Sequence, residues 1–253
     1  MGLKGETSVY EYLLKIRDSK GAGFLVLIDP DRSSSLSVVE QAKLCGDAGV
    51  DAILMGTSLM MRNGFDDYVK AACDAVDIPI IIFPGEKSQV SAHADAILFL
   101  SLLSGRNPEF IIGEQIRSAP LITQIGLEAI STAYLLIDCG RMTSVEFMSN
   151  TKPIPSDKPE IAVAHAMAAE IFGMKFIYLE AGSGAGRTVP DTVIQAVVSD
   201  VNVPVIVGGG IRNPEMVSAK VNAGASFVVV GNHLENSANQ TDLKAFVKAA
   251  RCK

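Results

Sequence analysis

The chain has 253 residues, is 48% hydrophobic and carries a formal net charge of −6 at pH 7. This length suits one α/β barrel, and we expect residues 1–253 to form a single domain. The acidic balance, without any block of basic residues, argues against nucleic acids and anionic membrane surfaces as partners.

The N-terminal residues and the cysteines indicate a cytoplasmic protein. No apolar run approaches the roughly 18 residues of a membrane-spanning helix, and residues 1–21 lack the continuous apolar core of a secretory signal. The four cysteines show no Cys-x-x-Cys spacing, as expected of reduced thiols rather than of a disulfide or metal site. We therefore expect no stable membrane insertion.

Short apolar runs rich in Val, Ile and Leu recur along the chain with amphipathic stretches between them, which is typical of βα units around a parallel sheet. There are eight such runs, and eight is the number of strands in a (β/α)8 TIM barrel. The predicted strands are Phe24–Asp29, Ala52–Gly56, Pro79–Phe83, Ala96–Leu100, Ala133–Ile137, Phe176–Glu180, Pro204–Val207 and Phe227–Val230.

The intervening segments predict helices, with two departures from the ideal barrel. Only Pro84–Ala94 lies between the third and fourth strands, which is too short for a crossover helix and two loops. We therefore predict a modified TIM barrel in which helix 3 is missing and a cleft opens in the wall. After the fifth strand, the polar stretch Asp138–Pro159 is unusually long, and it is either a lid or an insertion without function. The predicted helices are Ser37–Ala48, Glu109–Ile125, Ile161–Phe172, Asp191–Ser199, Pro214–Ala223 and Thr241–Ala250.

Two predicted strands near the C-terminus end in glycine, within VIVGGGIRNPEMV at residues 205–217 and FVVVGNH at residues 227–233. In a (β/α)8 barrel the loops after strands 7 and 8 form the usual phosphate site, because glycine lets backbone N–H groups approach the phosphate oxygens. Arg212 is a candidate for an added charge-assisted contact. The residues predicted to hold phosphate are Gly208, Gly209, Gly210, Gly231 and Asn232.

The first two strands end in oxygen-bearing side chains. Asp29 and Asp31 follow strand 1, and Thr57 and Ser58 follow strand 2. Two carboxylates beside a phosphate favour a cation, and a set of oxygen ligands favours Mg²⁺ over softer metals. The alternative is structural, since an Asp-Pro-Asp turn can start a helix and hydroxyl side chains can cap one.

The sixth strand ends in YLEAGSGAG, residues 178–186, which places a carboxylate among potential backbone donors. Tyr178 and Glu180 share one face of the strand by its period of two residues, so both are predicted to point into the barrel. Gly182 and Gly184 shape the loop that follows. Because burying a carboxylate is costly, Glu180 is a candidate for chemistry.

Taken together, LIDPD, MGTS, YLEAGSGAG, VGGGIRNPE and VVVGNHLE resemble the geranylgeranylglyceryl phosphate synthase family, in the same order across nearly the whole chain. The resemblance implies a Mg²⁺-dependent prenyltransferase of phospholipid biosynthesis on a barrel modified at helix 3. Its substrates would be sn-glycerol 1-phosphate and a polyprenyl diphosphate such as geranylgeranyl diphosphate, joined through an ether bond. The family also implies a homo-oligomer, either a dimer or a hexamer.

Site residues carry over from the family by position. Asp29 and Ser58 are implied as Mg²⁺ ligands, and Glu180, with Tyr178, as the catalytic residues. One branch of the family has a lysine where this chain has Leu27, two residues before the first aspartate, so the chain resembles the branch of longer sequences. The implied glycerol-phosphate site consists of Tyr178, Leu179, Glu180, Ala181, Gly182, Ser183, Gly184, Gly209, Gly210, Gly231 and Asn232.

Two other functions are compatible with the glycine loops. The first is a phosphate-binding barrel isomerase of amino-acid biosynthesis, which would use acid and base residues at the ends of strands 1 and 5 and would make Asp138 essential. The second is a barrel that binds a phosphorylated ligand without catalysis. The set of Asp29, Ser58 and Glu180 argues against a binder that has lost its activity.

Overall fold

The computed structural model describes residues 7–32, 36–231 and 240–251. Its strands form one closed, parallel barrel in the order β1 to β8, which confirms the predicted TIM barrel. The barrel closes where β1 pairs with β8, with Gly23 opposite Phe227. The strands are Gly23–Ile28 (β1), Ala52–Met55 (β2), Ile80–Ile82 (β3), Ala96–Ser101 (β4), Glu128–Leu136 (β5), Phe176–Glu180 (β6), Val205–Gly208 (β7) and Phe227–Val230 (β8).

Helices surround the barrel and close its lower end. They are Val9–Lys20 (α1), Val38–Ala48 (α2), Phe65–Cys73 (α3), Glu114–Ile125 (α4), Ser144–Ser149 (α5), Pro159–Ile171 (α6), Asp191–Asp200 (α7), Pro214–Asn222 (α8) and Gln240–Ala250 (α9). A π-helical turn, Glu109–Gly113, leads into α4, so the predicted helix 109–125 begins with a wider turn. Within the described ranges, the helices are too short or too polar to cross a membrane.

The connection from β3 to β4 contains no helix over residues 83–95, as the short spacing predicted. A buried glutamine holds this connection against the end of β2. The Nε2 of Gln89 donates to the carbonyl of Thr57 over 2.8 Å, and the N–H of Thr57 donates to Gln89 Oε1 over 3.0 Å. The side chain thus replaces a pair of backbone hydrogen bonds and keeps the wall ordered where a helix is absent.

Two apolar layers hold the fold together. Side chains such as Leu54, Leu98 and Ile206 fill the barrel interior, while alternate residues such as Ile53, Ile97 and Val207 face the helices. This alternation follows from the period of two residues along a strand. Both faces are apolar because helices cover the outside of the sheet.

Helix α1, to which the sequence analysis assigned no structure, closes the bottom of the barrel. Its buried residues Val9 and Leu13 pack against the interior layer. Glu128, the first residue of β5, accepts hydrogen bonds from the N–H groups of Val9 (2.6 Å) and Tyr10 (3.0 Å). The strand predicted at 133–137 begins earlier, at Glu128. Its first residues pair with β4, and the side chain of Glu128 binds α1.

A second carboxylate at the bottom ties distant elements together. Asp51 is 1% exposed. Its carboxylate accepts from Lys20 Nζ at 2.7 Å, from the guanidinium of Arg251 at 2.8 Å and from the N–H of Phe24 at 2.8 Å. Asp51 therefore joins the end of α1, the start of β1 and the residue after α9.

Candidate active site

Two adjacent cavities open at the carboxyl ends of the strands. The first, with a volume of about 340 Å³, extends along the side of the barrel where the helix between β3 and β4 is missing. The second, of about 280 Å³, lies over β6, β7 and β8. Both sit where TIM-barrel enzymes place their active sites. The residues that line both cavities are Leu27, Ser58, Phe83, Tyr134, Val145 and Ser183.

The first cavity is largely apolar. Phe99, Leu100 and Leu102 come from β4 and the residues after it, and Phe110 comes from the π-helical turn. Helix α5 adds Val145 and Met148, so the long stretch after β5 forms part of the cavity wall. A cavity with this lining suits a hydrocarbon chain.

Glu180 ends β6 and lines the second cavity, where it is only 6% exposed. Its Oε1 accepts a 2.6 Å hydrogen bond from the N–H of Gly182, and its carboxylate also accepts from the hydroxyl of Tyr178. Burial raises the pKa of Glu180 to about 7, although both hydrogen bonds act in the opposite direction. Its side chain is therefore suited to exchange a proton near neutral pH.

Three aromatic rings stack beside Glu180 at the junction of the cavities. The ring centroids of Phe83 and Tyr178 lie 5.1 Å apart, and those of Tyr134 and Tyr178 lie 5.5 Å apart. Burial and the nearby charge of Glu180 raise the pKa values of both tyrosines well above the ordinary value. The tyrosines are therefore neutral hydrogen-bonding groups at physiological pH.

The second cavity is shaped by glycine. Gly209 and Gly210 have φ values of +85° and +72°, in the left-handed region. A Cβ on Gly209 would collide with Glu180 Oε1 and would lie 2.8 Å from the Cβ of Ala181. The loop after β7 therefore approaches β6 so closely that no side chain fits between them, and its backbone faces the cavity.

The other residues predicted on the β6 to β8 loops divide into two groups. Gly182, Ser183, Gly184, Gly209, Gly210 and Gly231 line the second cavity together with Tyr178 and Glu180. Leu179 and Ala181 are buried in the outer apolar layer and line neither cavity. Asn232 lies outside the described residues. Gly208 has no room for a side chain either, because a Cβ there would lie 2.8 Å from Glu180 Oε2.

Arg212 lines the second cavity and supports the loop after β6, since its Nη2 donates to the carbonyl of Ala185 over 2.9 Å. The contact predicted for Arg212 was with phosphate. That contact stays a prediction, and the hydrogen bond to Ala185 positions the neighbouring Gly182–Gly184 segment.

The residues predicted to hold a cation lie at the rim of the first cavity. Asp29, Asp31, Thr57 and Ser58 all line it. Asp29 Oδ1 accepts from the N–H of Asp31 over 3.0 Å, and burial raises the pKa of Asp29 above its ordinary value. Asp31 Oδ2 accepts from the N–H of Met61 over 2.6 Å, whereas its Oδ1 is buried without a hydrogen-bond partner.

This rim suits a hard divalent cation. The desolvated carboxylate of Asp29 and the unpartnered Oδ1 of Asp31 are oxygen atoms that a cation would stabilise. Within the described ranges, His, Cys, Asp and Glu nowhere gather in groups of three or more that could hold a metal. Mg²⁺ usually keeps several waters and binds substrate phosphates, so it needs few protein ligands.

Three residues of the junction were missed in the sequence analysis. Phe83 and Tyr134 line both cavities, and Arg32 links the rims of β1 and β6. Phe83 and Tyr134 sit in apolar strand ends, where an aromatic residue is ordinarily part of the core. Arg32 follows the quoted LIDPD segment directly, and that position was its one available signal.

The fold and the site together define a TIM-barrel enzyme in which an apolar cavity adjoins a glycine-lined one. The chain belongs to the PcrB family, whose model matches residues 14–250. This match and the relatives named geranylgeranylglyceryl phosphate synthase together confirm the family resemblance of the sequence motifs.

Relatives named geranylgeranylglyceryl phosphate synthase identify the chain as an enzyme of the prenyltransferase class. The protein of that name from Chitinophaga pinensis is 48% identical over 220 residues, which are 87% of each chain. The one from Korarchaeum cryptofilum is 42% identical over 221 residues, 87% of this chain and 91% of its own length. A crystal structure of (S)-3-O-geranylgeranylglyceryl phosphate synthase from Thermoplasma acidophilum, in complex with its substrate sn-glycerol-1-phosphate, superimposes with a TM-score of 0.91. That protein is 34% identical, and the match covers 97% of this chain and 99% of that one.

Proposed function

We propose that this protein joins sn-glycerol 1-phosphate to a polyprenyl diphosphate, such as geranylgeranyl diphosphate, through an ether bond. The observation that carries the proposal is the position of Glu180, a buried carboxylate with a pKa of about 7 in the glycine-lined cavity that adjoins the apolar one. One cavity suits the hydrocarbon chain of the donor. The other suits the phosphate of a small acceptor.

The acceptor occupies the second cavity in this proposal. Backbone N–H groups of Gly209, Gly210 and Gly231 face its phosphate, because glycine allows that close approach. Asn232, outside the described residues, belongs to the same predicted set. Binding by the phosphate fixes the position of the primary hydroxyl and converts a bimolecular encounter into an oriented one.

Glu180 acts as the general base. As the donor C–O bond breaks, its electron pair leaves with the pyrophosphate. The acceptor oxygen then forms the new bond to the allylic carbon, and the hydroxyl proton passes to Glu180. Tyr178 donates a hydrogen bond to Glu180 and orients its carboxylate. Phe83 and Tyr134 exclude water from the junction.

Asp29 and Ser58 are the proposed ligands of Mg²⁺, and the unpartnered oxygen of Asp31 lies at the same rim. The bound ion would supply charge neutralisation to the diphosphate leaving group. Asp29 serves this role in its ionised form, and a cation opposes the effect of burial on its pKa.

The isomerase alternative lacks support at the end of β5. Asp138, which that reaction would require, is exposed and lines neither cavity. Its Oδ1 accepts a 2.9 Å hydrogen bond from the N–H of Gly140, so it serves the turn after β5.

The proposed function is tested by incubating the purified protein with sn-glycerol 1-phosphate, Mg²⁺ and polyprenyl diphosphates of increasing length. Products are identified by mass, with and without EDTA. We expect an ether product that requires Mg²⁺ and that the Glu180→Gln variant forms about 10² to 10⁴ times more slowly. Absence of product with every donor would overturn the proposal. Glu146→Gln, on α5 outside both cavities, is a matched control.

We also propose that the protein acts in the cytoplasm as a homo-oligomer, either a dimer or a hexamer. Exposed apolar side chains at the end of α6 support self-association, with Ile171 84% exposed and the adjoining Phe172 69% exposed. Light scattering of the wild type and of Ile171→Lys measures the assembly. A monomeric wild type would contradict it.

A further inference from the structure

Arg32 crosses the mouth of the barrel. It follows β1, and its Nη2 donates a 2.7 Å hydrogen bond to Ser183 Oγ in the loop after β6. Its Nε lies 3.5 Å from Asp29 Oδ2. Because β1 pairs with β2 and β8, this side chain connects two rims that are not neighbours in the sheet.

The hydrogen bond from Arg32 to Ser183 forms a bridge at the boundary of the two cavities. Arg32 and Asp29 line the first cavity, and Ser183 lines both. In the proposed reaction, the allylic carbon must come within reach of an acceptor hydroxyl in the second cavity. The diphosphate attached to that carbon therefore lies at the same boundary, beside Arg32. A guanidinium has a planar fork of donors that matches phosphate oxygens.

The contact of Arg32 with Asp29 has little value as a stabilising pair. The side chain of Arg32 is 39% exposed, and an exposed ion pair contributes little to folding. The bridge also orders a long side chain across an open mouth, which costs conformational entropy. The pair with Asp29 therefore does not by itself account for the position of Arg32.

We propose that Arg32 couples the two substrate sites by holding the acceptor loop through Ser183 while it binds the diphosphate of the donor. This inference rests on the proposed function. When the donor binds, Arg32 exchanges its contact with Asp29 for diphosphate oxygens, and Asp29 would then be available to hold the cation. The hydrogen bond to Ser183 remains. Each substrate thus fixes the guanidinium in the position that favours the other.

The coupling is measured by titration calorimetry, without catalysis. Inorganic pyrophosphate with Mg²⁺ is titrated into the protein with and without saturating sn-glycerol 1-phosphate, and the reverse titration is also made. For the wild type we expect each ligand to tighten binding of the other by about fivefold or more, and by the same factor in both directions.

Substitutions at both ends of the bridge separate coupling from structural support. In Arg32→Met we expect the coupling factor to fall to about one and the pyrophosphate affinity to fall about tenfold or more, the scale of a lost charge-assisted contact. In Ser183→Ala we expect the coupling to be lost while pyrophosphate alone still binds. The double variant adds no further loss of coupling, as a shared contact requires. Arg62→Met, an exposed arginine outside both cavities, is the control.

Three outcomes would overturn the inference. They are an uncoupled wild type, an undiminished coupling in Arg32→Met whether or not the separate affinities fall, and an undiminished coupling in Ser183→Ala. If the wild type forms ether product in the mass assay, any of these outcomes contradicts only the role of Arg32, and the proposed function stands. If the wild type forms no product, the proposed function fails first and the role of Arg32 fails with it.

Discussion

The barrel buries one carboxylate at each end, and the two are compensated differently. At the bottom, Asp51 is contacted by two cationic side chains and a backbone N–H. At the mouth, the donors to Glu180 are neutral, namely the N–H of Gly182 and the hydroxyl of Tyr178. Asp51 is paired with two opposite charges, whereas Glu180 has only neutral donors and its burial raises its pKa. The same side-chain chemistry thus supports structure at one end and, in the proposed reaction, proton transfer at the other.

The largest expected effect on stability is that of Asp51→Asn. The substitution leaves Lys20 and Arg251 without their shared partner, which destabilises the fold by about 3 kcal/mol. The loss is modest for a broken buried ion pair because Lys20 and Arg251 both retain access to solvent. Chemical denaturation measures it, and activity per folded molecule is expected to be unchanged. Asp18→Asn is the control, since its pair with Arg17 is exposed. Equal losses of stability in Asp51→Asn and Asp18→Asn would show that Asp51 contributes no more than an exposed ion pair.

The next effect concerns the backbone at the mouth. Gly209→Ala introduces strain of about 1–3 kcal/mol at a φ of +85°, and its Cβ displaces Glu180. We expect a loss of activity together with a lower melting temperature. Gly173→Ala is a matched control, because its φ is +73° and nothing lies within 4 Å of the added Cβ. Near-wild-type activity of Gly209→Ala would contradict the close packing of the glycine loop on Glu180.

Glu180→Gln is expected to stabilise the fold, whereas Asp51→Asn destabilises it. The pKa of Glu180 is raised from 4.5 to about 7 in the folded state, so its favourable contribution is present below pH 4.5 and is lost as the pH rises through 7. Removing the charge therefore stabilises the fold at pH 8 by on the order of 2 kcal/mol, and by less at pH 5. Denaturation at both pH values measures this.

The pH dependence of the wild-type reaction tests the same group. A general base acts in its ionised form, so kcat/KM should rise with pH through about 7 and then level off. A profile that is flat from pH 5 to 8 would show that Glu180 does not accept the proton.

The smallest expected effect lies at the bottom again. Glu128→Gln keeps one acceptor for the start of α1 and loses the second, together with a negative charge near a helix N-terminus. We expect a loss of about 1 kcal/mol, with no change in activity. An activity loss larger than the stability loss would mean that the bottom of the barrel influences the mouth.

Much of the fold could be predicted because strand periodicity and chain spacing determine it. The absence of a helix between β3 and β4 followed from the length of Pro84–Ala94 alone. Helix α1 was missed because its residues were considered only as a targeting segment, although Val9, Leu13 and Ile16 recur at helical spacing. The polar start of β5 was missed because Glu128 pairs with β4 through its backbone while its side chain binds the start of α1.

The site was predictable where the chemistry lies in local motifs and was not where it depends on distant contacts. The inward direction of Tyr178 and Glu180 follows from alternation on one strand. The stacking of Phe83 on Tyr178 and the bridge from Arg32 to Ser183 join residues far apart in sequence. The hydrogen bond of Arg212 to Ala185 likewise depends on how two loops meet.

The buried contacts of Asp51 have a consequence for local unfolding. Lys20 ends α1 and Arg251 follows α9, and both contact the same carboxylate. If either helix detaches, the buried carboxylate of Asp51 keeps only one of its two cationic partners. Fraying of one helix therefore weakens the attachment of the other. The first and last helices of the described chain should therefore exchange their amide hydrogens as one cooperative unit with the barrel, rather than as loose ends.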